Sequence, residues 1–600
     1  MTIATNIWPQ PENPREDICV DLLVVGSGNG GLTAALCAYE LGVKNVLVIE
    51  KSDQIGGTSA TSGGVIWIPG NRLARESGVQ DSTQAAREYV QQTSPAGAVS
   101  AQMLDTYLRE APKMIDFLHE RTRVRYRLAH ALSFLPGAKG NRSMEPEPVH
   151  RTVLGAEGSR LRDTHPLHWM FDRIAVTVVE AFTVMARLPG WRSLLIRLLW
   201  NYVSDVPWVF THRRSRRLAS GAAGIARLRW SMLDRGMPLW LNSPLQDLIT
   251  GENGRVIGAT VIRDGRQIVV RARCGVVLAA GGFEHNQAMR ERYLPKPTNS
   301  EWSAAPGTNA GDALRAALEI GAATCRMNGG WWCSTLKTPD HPVPWNFILG
   351  KSNPGSCVVN RRGARIANES QDHNNYQEAL YRKHSEADPQ VPAWMVFDAR
   401  VRRKYLIGPL YNSRVRPDWM LPKSYFTCGL LNRAKTIREL AHRAGIEPAG
   451  LVRTIGAMNE FARTGTDLEF HRGAAESDRL FADARITPNP CLAPIVEPPF
   501  YALRIEPGDF GTQGGVITDT NAQVLRADGE PIPGLYATGN CAAALLPTYP
   551  APGSTLGPAM TFGWQAAQHI ARNAPMTNAS EDDVRSTSES AEERSTDECS

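Results

Sequence analysis

Val20-Asp21-Leu22-Leu23-Val24-Val25-Gly26-Ser27-Gly28-Asn29-Gly30-Gly31-Leu32-Thr33-Ala34-Ala35 is the stretch that sets the fold. A short apolar run broken by glycine reads as a buried parallel strand. Gly26, Gly28 and Gly31 then fall on the spacing G-x-G-x-x-G where that strand gives way to an Ala/Leu-rich helix. In this setting the first glycine permits a tight turn, the second lets the backbone approach a pyrophosphate, and the third allows close helix–strand packing. A second strand, Asn45-Val46-Leu47-Val48-Ile49, ends in Glu50, whose carboxylate is placed to accept hydrogen bonds from ribose hydroxyls. Strand, helix, second strand and acidic end in register predict a dinucleotide-binding α/β unit.

The loop behind Glu50 separates two cofactors. Lys51-Ser52-Asp53-Gln54-Ile55-Gly56-Gly57-Thr58-Ser59-Ala60-Thr61-Ser62-Gly63-Gly64 is rich in small residues. An NAD dehydrogenase has no need of such a loop there, whereas an FAD protein uses it to pass close to the ribityl chain and the flavin. Lys51, Thr58, Ser59, Ser62, Gly63 and Gly64 are therefore candidate cofactor contacts. A later strand, Gly275-Val276-Val277-Leu278-Ala279-Ala280-Gly281-Gly282, adds Gly281. The C-terminal Gly534-Leu535-Tyr536-Ala537-Thr538-Gly539-Asn540 adds Gly539 and Asn540. These segments in this order resemble the glutathione-reductase-like FAD fold, a Rossmann-type α/β domain whose last strand and following helix return to the flavin. FAD is the expected cofactor.

A chain of 600 residues exceeds one ordinary core, so several domains are expected. The expected order is a flexible N-terminus (1–16), a first FAD-binding part (17–282) with a mostly helical excursion (105–235), an inserted α+β capping domain (283–490), a second FAD-binding part (491–572) and a disordered acidic tail (573–600). Residues 239–270 read as strands of a small sheet within the first part. No apolar run is long enough to span a bilayer and residues 1–15 lack a signal peptide's apolar core, so a cytoplasmic location is expected. Residues 169–210 are nevertheless apolar and Trp-rich, and Arg213, Arg214, Arg216 and Arg217 follow. That pairing fits a peripheral membrane contact, set against the plainer reading of a buried helical excursion or dimer face. Ten cysteines without a C-x-x-C pair argue against metal sites and disulfides. A net charge of +6 dispersed among acidic residues does not imply nucleic acid.

A second informative stretch is Thr548-Tyr549-Pro550-Ala551-Pro552-Gly553-Ser554-Thr555-Leu556-Gly557-Pro558-Ala559-Met560-Thr561. It joins a phenol, a Pro-stiffened turn and the start of a helix, where unpaired N–H groups and the positive end of the macrodipole suit an anionic partner. Ser554 and Leu556 at that start join the cofactor-binding set. A phenol beside it can donate to the same developing oxyanion.

Domain order, the glycine loops and Asn360-Arg361-Arg362-Gly363-Ala364-Arg365-Ile366-Ala367-Asn368-Glu369 resemble the fumarate reductase/succinate dehydrogenase flavoprotein superfamily over nearly the whole chain. Within it, the block from Tyr549 to Gly563 is similar to that of 3-ketosteroid Δ1-dehydrogenases. The resemblance implies that the Tyr549 hydroxyl and the Gly553 N–H polarise a ring ketone. A base then removes the neighbouring proton while hydride leaves the next carbon for flavin N5. The substrate is a small apolar, steroid-like ketone. The loop at Gly56-Gly57-Thr58 lacks the histidine that tethers flavin in succinate dehydrogenases, so FAD is expected to be non-covalent.

The base departs from the family pattern. Where the family has tyrosine, four residues beyond Glu369, this chain has His373; Tyr376, one helical turn on, is the second candidate. The supporting tyrosine expected near residues 132–137 is replaced by Phe134, the nearest tyrosine being Tyr126. Three other readings stand beside 1,2-desaturation. They are a relative acting at the 4,5 position or on another terpenoid ketone, an enoate reductase using Arg361, Arg362 or Arg365 to hold a dicarboxylate, and an FAD electron-transfer or sensor subunit without substrate chemistry. The G-x-G-x-x-G spacing does not recur as an NAD(P) site, so a quinone or other small electron acceptor is expected.

Overall fold

The computed structural model describes residues 16–129, 142–185, 188–348 and 350–574. Most of the expected flexible ends and the stretch around Phe134 lie outside the described residues. Strand β1 (Glu16–Val25) leads into helix α1 (Asn29–Glu40) and strand β2 (Val46–Ile49). β1 runs parallel to β2, with Val25 opposite Ile49, and parallel on its other side to the long strand Arg266–Leu278, with Val25 opposite Leu278. Strand Pro531–Ala537 continues the parallel set beyond that strand. All four strands finish at the same edge, where a doubly wound sheet binds its ligand.

Gly26 and Gly31 act as their spacing predicts. Gly26 has φ +109°, and a Cβ on it would lie 2.4 Å from the Ala279 carbonyl oxygen. A Cβ on Gly31 would lie 2.3 Å from the Gly26 carbonyl oxygen, so only glycine lets α1 sit this close to β1. Leu22, Val24, Val46 and Val48 face α1 and the C-terminal helix Leu556–Asn573, whereas Leu23, Val25, Leu47 and Ile49 fill the core on the opposite face. That is the period-two burial of a sheet covered on both sides.

Three details of the expected organisation change. The excursion is not mostly helical throughout: residues 126–175 hold five short strands and two 3₁₀ segments. The small sheet of residues 239–270 is not separate. Leu239–Trp240 extends the main sheet beside β2, and the last small-sheet strand is the same strand as the one ending at Leu278. The second FAD-binding part does not resume at 491 either, because strand Phe500–Thr512 pairs with Gly330–Leu336, Ala393–Phe397 and Leu431–Ala434 in the capping sheet. A strand's partners are set by residues far along the chain, which local pattern does not carry.

The capping domain is a sheet with helices His373–Lys383, Ile437–Ala444 and Pro448–Thr464 around it, and cores on both faces. Its centre is charged. Arg365 reaches Glu369 at 2.8 Å and Asp467 at 2.9 Å with all three side chains buried, and Arg472 reaches Glu369 at 3.3 Å. Gly363, in the same stretch Asn360–Glu369, turns at φ +72° with Leu451 N only 2.3 Å from where a Cβ would be. Removing one partner of a buried pair costs about 3–5 kcal/mol, because it strands the remaining charge. Arg365→Leu is therefore expected to lower the unfolding free energy by about that amount. Denaturant unfolding followed by far-UV circular dichroism checks it.

Candidate active site

The C-terminal edge of the main sheet and the underside of the cap enclose one cavity of about 1590 Å³. That exceeds the roughly 300–1,000 Å³ typical of a single-ligand pocket. One end is a cradle of backbone. Gly26, Gly28, Gly31, Glu50, Lys51, Thr58, Ser59, Ser62, Gly63, Gly64, Gly281, Gly539, Asn540 and Leu556 all line it. Helix α1, the short helix Gly57–Thr61 and the C-terminal helix start at this wall, and none of the three has a side-chain cap. Their N-termini supply donors and positive potential for phosphates, although the first N–H of α1, Asn29, already donates to Ser59 Oγ at 3.1 Å. A Cβ on Gly64 would lie 2.6 Å from Gly221 N, so this wall too is bare backbone by necessity.

Glu50 is held in place from within. Its Oε2 accepts from the Ser27 N–H at 3.1 Å and the Ser27 hydroxyl at 2.6 Å, and Oε1 accepts from Ser52 N–H at 2.9 Å. A carboxylate has further lone pairs, so it still accepts from ribose hydroxyls. Ser59 donates to Asn29 Oδ1 at 3.0 Å, fixing the small-residue loop against the start of α1. Lys51 forms an ion pair with Asp312. Bare glycine walls, converging helix starts and an anchored acidic residue fit FAD.

The other end carries the candidate catalytic groups. Tyr549, Gly553 and His373 line the same cavity. Gly553 has φ +98°, and a Cβ there would lie 2.4 Å from the Ile66 carbonyl carbon. Its N–H donates to the Tyr549 hydroxyl oxygen at 3.5 Å, which sets the two donors side by side on the cavity wall. The turn that presents them is clamped from three sides. Pro550 O accepts from Tyr89 Oη at 2.6 Å, Pro552 O from Ser143 Oγ at 2.9 Å, and Gly553 O from Trp67 N at 3.1 Å. Burial pushes the Tyr549 phenol up to about 12, so it stays a donor at neutral pH.

His373 is the first residue of helix His373–Lys383, capped by Asp372, and its ring centroid lies 4.8 Å from that of Tyr549. Its Nδ1 lies 2.7 Å from the Trp332 carbonyl oxygen. A carbonyl only accepts, so Nδ1 carries the proton and Nε2 keeps its lone pair. Burial holds the imidazole below its ordinary value; the Asp372 carboxylate and the Trp332 carbonyl oppose that and Lys351 adds to it. The ring is therefore a neutral base with a fixed tautomer.

Two candidates lie off the cavity. Tyr376 packs into the cap core under the Lys351 ammonium, 4.8 Å from its ring centroid, and its hydroxyl is not on the cavity wall. One helical turn beyond His373, its ring is enclosed by the cap core and not by the cavity. Ser554 folds back into its own turn, donating to Ala551 O at 2.6 Å, so it closes the loop instead of lining the cofactor wall. Arg365 is taken up by its ion pairs and neither Arg361 nor Arg362 lines the cavity, which removes the dicarboxylate clamp.

The family named "FAD binding domain" matches residues 21–556. The chain is 36% identical to the 3-oxosteroid 1-dehydrogenase of Mycobacterium tuberculosis, over 92% of this chain and 98% of that protein. A solved structure of 3-ketosteroid delta1-dehydrogenase from Sterolibacterium denitrificans, in complex with 1,4-androstadiene-3,17-dione, is 41% identical, with a TM-score of 0.88 over 92% of this chain and 99% of that one. The chain belongs to the FAD-dependent 3-oxosteroid 1-dehydrogenase family. It is also 34% identical, over 92% of its length and 93% of the relative's, to the 4-oxocyclohexanecarboxylate 2-dehydrogenase of Sinomonas cyclohexanicum.

Sequence reasoning missed part of this family member's site. Trp331 and Phe510 pack edge-on to Tyr549, at 6.1 and 6.4 Å between centroids, and line the cavity. Asn309 bridges Thr58 Oγ1 at 2.9 Å and Glu284 Oε1 at 2.6 Å behind the cofactor wall. Phe510 sits in the Gly-rich stretch of residues 509–515, so its position was signalled, whereas Trp331 and Asn309 carry no local signal. Overpacking a tight contact costs about 1–3 kcal/mol. Gly31→Ala should therefore weaken FAD binding by about tenfold or more, read as a lower flavin-to-protein absorbance ratio and a raised Kd on apoprotein titration.

Proposed function

We propose that the protein desaturates a 3-oxosteroid between the carbon next to its ketone and the following carbon, introducing the 1,2 double bond. The observation that carries this reading is the convergence of Tyr549 Oη and Gly553 N, 3.5 Å apart, beside the neutral ring of His373. The ketone oxygen accepts from both donors, and the charge that develops on it in the enolate-like transition state strengthens both hydrogen bonds. His373 Nε2 takes the acidified proton, and the imidazolium so formed is stabilised by the Trp332 carbonyl and by the charge of Asp372. FAD, when bound, accepts the hydride from the next carbon. Trp331 and Phe510 exclude water from the clamp, where it would compete for the same oxygen.

A multi-ring substrate is favoured over a single-ring keto acid by the rest of the cavity wall. Val176, Phe182, Met185, Leu188, Trp191 and Leu195 continue it as an apolar channel. The sequence offers no second dinucleotide fingerprint, and a quinone-like acceptor completes the proposed cycle.

Tyr549→Phe is expected to retain FAD and lose about 10²–10³ in kcat, the usual cost of one oxyanion donor. His373→Ala should lose about 10²–10⁴. The base works only when neutral and its pKa is depressed, so the acid limb of kcat/KM should lie below the ordinary histidine value of 6.5. His373→Tyr should move that limb to alkaline pH. Anaerobic flavin bleaching by 4-androstene-3,17-dione, with a 1,4-diene product by mass, tests the reading. No bleaching by this ketone or its 5α-reduced analogue, with FAD bound, overturns it.

We also propose that helices Trp191–Val203 and Val206–Thr211 rest on a membrane surface. Ile196, Trp200 and Phe210 are 67%, 69% and 86% exposed, so a buried excursion does not describe them. Leu188, Trp191 and Leu195 carry the cavity wall onto the same segment. The basic cluster contributes less than its sequence suggests. Arg213 and Arg214 pair with Asp172, Arg216 with Asp205 and Arg217 with Glu180, leaving the apolar faces and the helix's own Arg192 and Arg197 to make the contact. Sedimentation with anionic vesicles should carry the wild type down, and Trp200→Ser with Phe210→Ser should release it. Concentration-dependent dimerisation lost in the same variant, without vesicle binding, would make the patch a dimer face.

A further inference from the structure

His373 has a buried charge close by that the proposed chemistry does not use. Lys351, in the 3₁₀ turn Gly350–Ser352, is buried in the cap, and among the described residues no carboxylate is in ion-pair contact with it. Lysine is almost never fully buried unless it is paired, because a buried charge is held only where other groups compensate it.

The compensation comes from the backbone that leads into the base. Lys351 Nζ donates to the Glu369 carbonyl at 2.8 Å and to the Gln371 carbonyl at 2.9 Å, and Ser352 Oγ donates to the same Glu369 carbonyl at 2.9 Å. The ammonium also stands 4.8 Å from the centroid of the Tyr376 ring, a cation–π contact one helical turn beyond His373. It therefore grips the start of this helix from both sides, through the segment before His373 and through the first turn after it.

The neighbouring charges give the ammonium a second effect. Asp372 caps the helix, accepting from Asn374 N–H at 3.1 Å and Asn375 N–H at 3.0 Å, and has no ion pair among the described residues. A carboxylate beside an imidazole draws a proton onto it. The other charged groups near Lys351 are engaged elsewhere: Glu369 pairs with Arg365 and Arg472, and Asp478 accepts from Asn368 and Gly473. Around the imidazole itself, Trp332 presents a carbonyl, Phe510 an apolar ring and Tyr549 a phenol kept neutral by burial. Asp372 and Lys351 are thus the opposed charges that bear on the base. Burial pushes Lys351 down to about 8, against the pull of Asp372 and Glu369, so it is still charged at neutral pH.

We propose that Lys351 is a positioning residue for the dehydrogenation: it pins the segment that carries His373 and sets a positive charge against Asp372, so that the cap carboxylate does not load the base with a proton before substrate arrives. This rests on the reading of His373 as the base. Asp372 favours the imidazolium once the substrate proton has been taken, and Lys351 keeps that help from acting too early.

The test is the pH dependence of kcat/KM of the holoenzyme with 4-androstene-3,17-dione, whose acid limb reports the base of the free enzyme. Lys351→Met keeps the stem and removes the charge. Its acid limb should move to higher pH, so that on the acid side kcat/KM falls about threefold or more further below its plateau than in the wild type. Lys351→Arg keeps the charge and should leave the limb in place. Asp372→Asn, still able to cap the helix, should move the limb the opposite way. Lys351→Gln, neutral and able to donate to the two carbonyls, replaces the methionine variant if that one loses its flavin. A lower plateau with the limb unmoved in Lys351→Met makes the lysine a structural group and overturns the proposal. So does an equal shift in Lys351→Arg, a shift of the same sign in Asp372→Asn, or loss of flavin in both neutral variants. His373→Tyr separates the two readings. A limb that moves there but stays in place in Lys351→Met removes Lys351 alone, and a limb that stays in place in both removes the base reading as well.

Discussion

Strand Phe500–Thr512 is the constraint on which the arrangement depends. It is hydrogen-bonded to three other strands of the cap, and the chain then runs through Gly511 to Gly515, next to the cofactor wall. A buried strand paired along both edges resists displacement, since every lost ladder bond would strand a donor or acceptor. The proposed base and ketone clamp come from different parts of the chain. His373 rides on the cap, and Tyr549 and Gly553 on the turn before the C-terminal helix. Their close approach therefore depends on how this strand, and the Gly330–Leu336 strand beside it, hold the cap over the sheet. The link to the base is direct, because Trp332 of the neighbouring strand gives its N–H to Asn374 and accepts from His373.

Much of the cofactor end is legible in sequence because its requirements are local. Gly31 answers to a contact within its own strand–turn–helix unit, the Gly26 turn needs φ +109° whatever packs on it, and Glu50 follows from the strand it terminates. The turn from Tyr549 to Gly553 is legible for the same reason. What was not legible depends on pairing between distant segments. Strand Phe500–Thr512 looked like a return to the flavin domain because it runs into a Gly-rich stretch, and Phe510 does line the cavity, yet its ladder partners lie far back in the cap, with Thr512 opposite Gly330. The choice between His373 and Tyr376 turned on which of two positions one turn apart meets the cavity and which meets the cap core, and that depends on distant segments packed against the helix. Ser554 has the composition of a helix-start contact but finds a nearer partner in Ala551.

Replacing the family's tyrosine with His373 changes the physical problem at the base. A phenol must be driven well below its ordinary pKa of about 10 to work at neutral pH. Burial acts against that, as it does for Tyr549 and Tyr376, both of which are pushed upward in this protein. The same burial favours a histidine base, since the neutral form is the active one. The dry aromatic enclosure that serves the oxyanion clamp therefore also serves the base. No separate positive charge is needed to make it competent.

The turn that presents the clamp is fastened at Pro550, Pro552 and Gly553 by groups from Tyr89, Ser143 and Trp67, and Gly553 admits no side chain. Such a turn has almost no room to vary. Evolution toward new ketones on this scaffold is thus confined to the side chains that enclose the body of the substrate, while the atoms that touch the carbonyl oxygen stay as they are. Chemistry and selectivity are inherited on separate parts of the chain.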